Sequence, residues 1–115
     1  MKKSSRLTRS EDIRRVRSEG RSFAHPSVVV GFLPNQIEQN RLAVIAGRSV
    51  GGAVQRNLAK RRIRSVIQKL DDFLKQGFDI IIIARRSMLD IEYQSLVEAL
   101  QQLLDRAGLM KDKVS

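Results

Sequence analysis

Basic side chains dominate residues 39–70, a segment that contains no aspartate or glutamate. On a helix that turns about 100° per residue, five polar donors of this segment share one arc: Arg56, Asn57, Lys60, Arg61 and Arg64. Like charges at this spacing cost an isolated helix roughly 0.2–0.5 kcal/mol per pair. A solvated helix face would normally intersperse acids, so the arc indicates a polyanion that neutralises it. The chemistry that these residues offer is therefore the binding of phosphate groups.

A helix must carry this arc, and the same segment predicts one. It begins with Gly51 and Gly52 and runs to Leu70 without a proline. Backbone N–H groups at such a helix start form a ready anion site. Val54 and Leu58 fall outside the apolar arc, so the first turns must contact something else. The remaining apolar side chains gather on an arc that can pack against a core: Ile63, Val66, Ile67, Leu70 and Leu74.

The whole chain is strongly basic, with a formal net charge of +10 over 115 residues. The bases concentrate in residues 1–70, whereas residues 71–115 carry more acids than bases. A charge of this size favours a nucleic-acid partner, although charge alone does not separate RNA from DNA. The length predicts a single domain over residues 1–115, with flexible ends at residues 1–7 and 111–115.

Protein-based catalysis is not indicated. The chain has no cysteine and a single histidine, His25, which is typical of a loop or strand edge. No Ser/His/Asp arrangement, phosphate-cradling loop or acid cluster is present, so we expect no catalytic residue, no intrinsic metal site and no small-molecule substrate. The longest apolar run, Ile80–Ala84, is far too short for a membrane span, and the N-terminus does not resemble a secretory signal. These features predict a cytoplasmic protein.

Other segments predict the elements around the basic helix. Thr8 to Glu11 fits a capping box, with Ser10 as a second N-cap, for a first helix that ends at Gly20. Residues 22–33 form a strand signal, kinked by His25-Pro26, which we expect to pair with residues 41–46 as an antiparallel hairpin. Residues 78–84 read as a strand buried on both faces. Asp90 caps a last helix that Gly108 closes, with an apolar stripe at Tyr93, Leu96, Val97, Leu100, Leu103 and Leu104. This order predicts a two-layer α+β domain with helices on one sheet face.

The basic helix resembles the signature helix of the bacterial ribonuclease P protein component. The matching residues are Gly51, Ala53, Val54, Arg56, Asn57, Lys60, Arg61 and Arg64. The chain departs from the signature at Leu58, where the family usually has arginine. The first helix is also similar, but the family usually carries aromatic residues at Ile13 and Arg17 and often a tyrosine at Gly31. Arg17 offers a planar guanidinium for stacking instead.

The resemblance implies a fold, an activity and a set of site residues. The fold is a two-layer α/β sandwich of order α-β-β-(β)-α-β-α, like a domain of ribosomal protein S5, with a left-handed βαβ crossover. The protein would be a subunit of an endoribonuclease that removes the 5′ leader of precursor tRNA with Mg²⁺, the RNA subunit being the catalyst. It would bind that RNA through Arg48, Arg56, Asn57, Lys60, Arg61, Arg62 and Arg64. A cleft between the first helix and the sheet, lined by Ile13, Arg17, Val29 and Gly31, would hold the leader.

Two other classes of protein share parts of this pattern. A general or ribosome-associated RNA-binding protein would have the same charge and fold, but would bind structured RNAs indiscriminately. A DNA-binding regulator would need a helix-turn-helix pair, whereas strands flank the basic helix here.

Overall fold

The structure, a computed structural model, describes residues 5–111. Within that range it contains five strands and three helices, and three short 3-10 turns follow β4, α2 and β5. Their bounds are β1 Ser5–Arg6, α1 Ser10–Glu19, β2 Arg21–Ala24, β3 Val28–Pro34, β4 Arg41–Ala46, the 3-10 turn Arg48–Val50, α2 Ala53–Leu70, the 3-10 turn Asp71–Phe73, β5 Phe78–Ala84, the 3-10 turn Arg86–Asp90 and α3 Tyr93–Arg106.

The five strands form one sheet in the order β1-β4-β5-β3-β2. The central strand, β5, pairs parallel with β4 and antiparallel with β3. Its apolar side chains are buried on both faces, Ile81 toward one and Ile80 and Ile82 toward the other, which confirms the prediction for this segment. A strand without a polar face is best placed in the middle of a sheet, where neither face meets water.

The expected hairpin between residues 22–33 and 41–46 is wrong, because β5 lies between the strands that these segments form. Residues 22–33 also do not form one kinked strand. The chain reverses at His25–Ser27, and β2 and β3 pair antiparallel across that turn, with Ala24 opposite Val29. Pro26 cannot donate a ladder hydrogen bond, so it lies in the turn rather than in a strand.

Helices cover both faces of the sheet. The α+β class is confirmed, but the expectation that all helices share one face is wrong for α1. Alternation along β3 explains the arrangement, since Val28 and Val30 face the main core under α2 and α3. On the other face, Val16 of α1 is buried with Ala43 and Ile81 in a smaller cluster. The sheet therefore has α2 and α3 on one face and α1 on the other.

Of the chain start predicted to be flexible, residues 5–7 are hydrogen-bonded or buried against the sheet, and residues 1–4 lie outside the described part. Ser5 N–H donates to the Asn40 carbonyl at 3.0 Å, and Leu7 N–H donates to the Leu42 carbonyl at 2.8 Å. Leu7 is buried. At the other end, Lys111 N–H donates to the Phe73 carbonyl at 2.7 Å, and residues 112–115 again lie outside the described part.

The predicted helix caps do not form. Arg9 occupies the N-cap of α1 and Glu92 that of α3, and neither makes a side-chain capping hydrogen bond. Asp90 instead belongs to the preceding 3-10 turn. Gly20 does end α1, as predicted, and a Cβ there would lie 2.4 Å from the Phe32 carbonyl oxygen. Glycine is required at this position because α1 approaches β3 so closely. The predicted apolar stripe of α3 is confirmed, with its leucines buried.

Candidate nucleic-acid interface

Helix α2 divides cleanly into a core face and a polar face. The predicted apolar arc is confirmed, and its members are buried together with Ala59: Ile63, Val66, Ile67, Leu70 and Leu74. Val54 is 77% exposed and Leu58 is 40% exposed, as expected for residues outside that arc. Burial of the aliphatic face anchors α2 to the sheet, so the donors on its other side are held on a rigid support.

The structure brings the predicted donors of α2 together. Val54 lies with four of them around an open depression of about 460 Å³: Asn57, Lys60, Arg61 and Arg64. Arg56 is half-buried one turn before Lys60. We call these five donors the α2 row: Arg56, Asn57, Lys60, Arg61 and Arg64.

No carboxylate neutralises the α2 row within the described residues. The ion pairs of that part of the chain join Asp12 to Arg15, Asp12 to Arg41 and Asp79 to Arg41. Within residues 39–70, these ion pairs neutralise Arg41. The α2 row remains available to an external anion.

Arg62 is separated from the α2 row. Its Nη2 donates to the Ile91 carbonyl at 3.1 Å, on the flank of α2 that faces α3. On the same flank, the Ser65 hydroxyl lies 2.8 Å from the Tyr93 hydroxyl, and Lys69 Nζ lies 4.6 Å from the centre of the Tyr93 ring. These contacts hold α3 against α2, and they give Arg62 a structural partner that the other predicted donors lack among residues 5–111.

The entrance to α2 adds further positive charge. Arg48 is exposed in the 3-10 turn before the helix, and Gly51 has φ 142°, which favours glycine. Gly52 is the N-cap and provides no side-chain hydrogen bond to the first helical N–H groups. Those N–H groups and the positive end of the helix dipole therefore supplement Arg48.

Arg85 and Arg86 were not among the RNA-binding residues predicted from the sequence. Because β4 and β5 run parallel and Ala46 lies opposite Ala84, the residues that follow both strands meet at one end of the sheet. Arg85 and Arg86 are exposed there, at the same end as Arg48. Parallel pairing of β4 with β5 would have placed Arg85 and Arg86 beside Arg48, but the sequence analysis paired residues 41–46 with residues 22–33 instead.

His25 lies in the β2–β3 turn, which confirms the prediction of a loop residue. Its Nδ1 accepts a hydrogen bond from the Ser27 N–H at 3.1 Å and lies 2.8 Å from the Ser27 hydroxyl. Arg85 Nη1 donates to the His25 carbonyl at 3.2 Å. The role of His25 in the structure is to shape the turn that Arg85 holds.

A second concave site lies between α1 and the sheet. It has a volume of about 200 Å³ and includes three of the predicted cleft residues, Arg17, Val29 and Gly31. Ile13 is not in its lining, but joins Arg17 in a neighbouring open groove along α1. The rest of the cleft lining is small or aliphatic: Val16, Gly20, Ser22, Ile81 and Ile83. Phe23, Phe32 and Phe78 pack on the opposite face of the sheet, so they do not contribute to it.

The described residues do not assemble a metal site or a membrane span. No group of three or more His, Cys, Asp or Glu side chains is placed to hold a metal ion in residues 5–111. Within the same range, no helix is both long and apolar enough to cross a bilayer. The fold and the α2 row together define the class: an α+β protein with a basic, acid-free helix face that suits a polyanionic ligand.

Comparisons with known proteins identify the family. A family model described as Ribonuclease P matches residues 1–108. The ribonuclease P protein component of Symbiobacterium thermophilum is 38% identical over 112 residues, which cover 96% of this chain and 97% of that protein. The corresponding protein of Herpetosiphon aurantiacus is 33% identical over 113 residues, which cover 98% of this chain and 92% of that protein.

Solved structures agree with this result. The RNase P protein of Staphylococcus aureus superposes with a TM-score of 0.85 at 29% identity, covering 95% of this chain and all of that chain. That of Thermotoga maritima gives a TM-score of 0.80 at 29% identity, covering 89% of this chain and 96% of that chain. The chain belongs to the ribonuclease P protein family. It is a protein subunit of bacterial ribonuclease P, and its partner is a catalytic RNA.

Proposed function

We propose that this subunit binds the catalytic RNA through the α2 row and Arg48, and the 5′ leader of precursor tRNA through the cleft between α1 and the sheet. The single observation that carries the proposal is the α2 row itself, five donors without an acidic partner in the described residues. Such a row is costly in the free protein and is stabilised by a polyanion.

The guanidinium and ammonium groups of the α2 row contact RNA phosphates. Arginine binds a phosphate through two parallel N–H donors, which fixes orientation as well as charge. Asn57 is uncharged and donates to a phosphate or a ribose hydroxyl. Arg48 and the N–H groups at the start of α2 extend the same surface toward the ribozyme's active site. Arg62 makes a lesser contribution, since it donates to Ile91 in the free protein.

The cleft holds the leader as a single strand. Its volume of about 200 Å³ and its aliphatic lining offer a dry surface to a nucleobase, and Arg17 offers a planar cation at the mouth. Ile13 extends that surface along α1. Because the chain lacks the family's aromatic residues at positions 13, 17 and 31, stacking is weak and we expect little preference for leader sequence.

Mg²⁺ belongs to the RNA subunit in this proposal, because the described residues offer no grouped acidic ligands. When bound, it supplies the activated nucleophile for hydrolysis of the phosphodiester. The protein's own contribution is to neutralise phosphates beside that site and to hold the leader. We further propose that residues 1–115 act as a single RNA-binding domain in the cytoplasm.

Reconstitution tests this function. The full chain is added to a bacterial ribonuclease P RNA at low Mg²⁺, and cleavage of a precursor tRNA is followed. We expect strong stimulation with a precursor that carries a long leader, and much weaker stimulation with a single-nucleotide leader.

The control RNA is a structured RNA of similar length without ribonuclease P activity. Equal affinity for both RNAs, together with no stimulation, would favour the general RNA-binding alternative. Stimulation that does not depend on leader length would leave the role of the α2 row intact but exclude the cleft.

A further inference from the structure

Arg41 lies at the centre of a charged network that joins α1 to the sheet. Its Nε donates to Oδ1 of Asp79 at 2.7 Å, and its Nη2 donates to Oδ2 of the same carboxylate at 2.7 Å. Its third nitrogen, Nη1, lies 3.5 Å from Oδ2 of Asp12 on α1. Asn35 Nδ2 also donates to Asp79 Oδ1, at 3.0 Å. One guanidinium thus connects β4, β5 and the first turn of α1.

The two carboxylates of this network are shielded from water, while the Arg41 side chain is partly exposed. Asp79 is 4% exposed, and the side chain of Asp12 is 12% exposed. The hydrogen bond that Arg41 donates to Asp79 raises the pKa of Arg41 above its ordinary value, an effect that burial opposes and the charges of Asp79 and Asp12 reinforce. Arg41 is therefore positively charged in the folded protein. A two-pronged contact to a buried carboxylate also fixes the orientation of the guanidinium, so the nitrogen that faces Asp12 has a defined position.

Asp12 lies on α1, the helix that forms one wall of the cleft. The C-terminal end of α1 is fixed by Gly20, which contacts β3 so closely that a Cβ would lie 2.4 Å from the Phe32 carbonyl oxygen. Between the two ends, Val16 and Arg17 form the helix wall of the cleft, and Gly31 belongs to the sheet wall. The separation of these walls depends on how α1 lies across the sheet. The contact between Asp12 and Arg41 holds the N-terminal end of α1 in position on the sheet.

We propose that Arg41 is a positioning residue, which holds α1 at the distance from the sheet that a single-stranded leader requires, without touching the leader itself. The proposal rests on the proposed function, because it needs the cleft to be the leader site. It gives Arg41 a role in substrate binding, although Arg41 pairs with carboxylates of the protein and is not part of the α2 row. It also separates two functions of the chain, since α2 takes no part in this network.

The test compares Asp12→Asn with Glu11→Gln. Both substitutions remove one carboxylate from the first turn of α1, so both weaken the favourable interaction with the helix dipole equally. Only Asp12→Asn removes the carboxylate of α1 that pairs with Arg41, and it leaves the contact between Arg41 and Asp79 in place. A second control, Arg15→Gln, removes the exposed 3.8 Å pair between Arg15 and Asp12 and leaves Arg41 untouched.

The reconstituted holoenzyme is assayed with precursors that carry a long or a single-nucleotide leader. For Asp12→Asn we expect KM for the long-leader precursor to rise roughly three- to tenfold, with kcat and KM for the short-leader precursor unchanged. Affinity for the catalytic RNA should equal that of the parent. Both controls should behave like the parent in all four measurements.

Each outcome decides the proposal. A rise in KM that is the same for both precursors, or that Glu11→Gln reproduces, would show a general structural role and overturn it. A parent that does not distinguish the two leaders would overturn the cleft assignment and this proposal together. If Asp12→Asn does not fold, Arg41→Lys retains the charge but loses the two-pronged geometry, and the same leader-dependent rise in KM is expected.

Discussion

At the scale of single residues, neighbours in sequence differ sharply in what they do. Arg61 is exposed and lines the depression on α2, whereas Arg62 donates a hydrogen bond to the Ile91 carbonyl at 3.1 Å. The two side chains are identical, but one helix position separates them by about 100°. In the sequence both read as RNA-binding residues, because charge and spacing do not reveal which flank of α2 would meet α3.

This pair of arginines makes a matched comparison. We expect Arg61→Ala to weaken binding to the catalytic RNA roughly tenfold while leaving the Tm close to that of the parent. Arg62→Ala should instead lower the free energy of unfolding by about 1 kcal/mol, through the lost bond to Ile91, with a smaller effect on affinity. Filter binding and thermal denaturation measure the two quantities. Equal losses of affinity would place Arg62 in the RNA surface after all.

At the scale of elements, helices were easier to predict than strand partners. The apolar arcs of α2 and α3 repeat every three or four residues, so each can be read within a short window of sequence. Strand pairing is not local: β3 and β4 are adjacent in sequence, but they do not pair with each other, and both pair with β5, which follows α2. The cleft residues Arg17, Val29 and Gly31 were predicted by resemblance to a family, since nothing in their own spacing brings them together.

The α2 row acts as one element, and we expect its removal to change the salt dependence of binding. A variant with Arg56→Ala, Lys60→Ala and Arg64→Ala should lose roughly a hundredfold in affinity for the catalytic RNA, and the log–log salt slope should fall by about one unit for each lost phosphate contact. The matched control, Arg9→Ala, Lys75→Ala and Lys111→Ala, removes the same charge from exposed positions outside α2. If both variants lose the same affinity, net charge rather than the α2 row drives binding.

At the scale of the whole molecule, the proposed RNA surface and part of the core lie on one helix, α2. The buried face of α2 contacts β4 and β5, the parallel pair at the centre of the sheet. Unfolding α2 would expose that core, so RNA bound as proposed would stabilise the sheet as well as the helix. Each ligand that binds only the folded state adds stability by mass action.

We therefore expect catalytic RNA to raise the Tm of the subunit. At an RNA concentration a hundredfold above Kd, the added stability is about 2.7 kcal/mol, which corresponds to roughly 10–20 °C for a domain of this size. Differential scanning fluorimetry at constant salt measures the shift. The variant that lacks Arg56, Lys60 and Arg64 should show almost no shift at the same RNA concentration, and an equal shift would contradict the proposed surface.

The central position of β5 also has a consequence for synthesis of the chain. In the described part of the molecule, β1 pairs with β4 and β2 with β3, and β5 joins the two pairs. A nascent chain that has been synthesised to the end of α2 therefore contains most of its basic residues, but it lacks the central strand that supports α2. The strand that completes that support emerges from the ribosome after α2, so the sheet beneath α2 closes only once β5 has been synthesised.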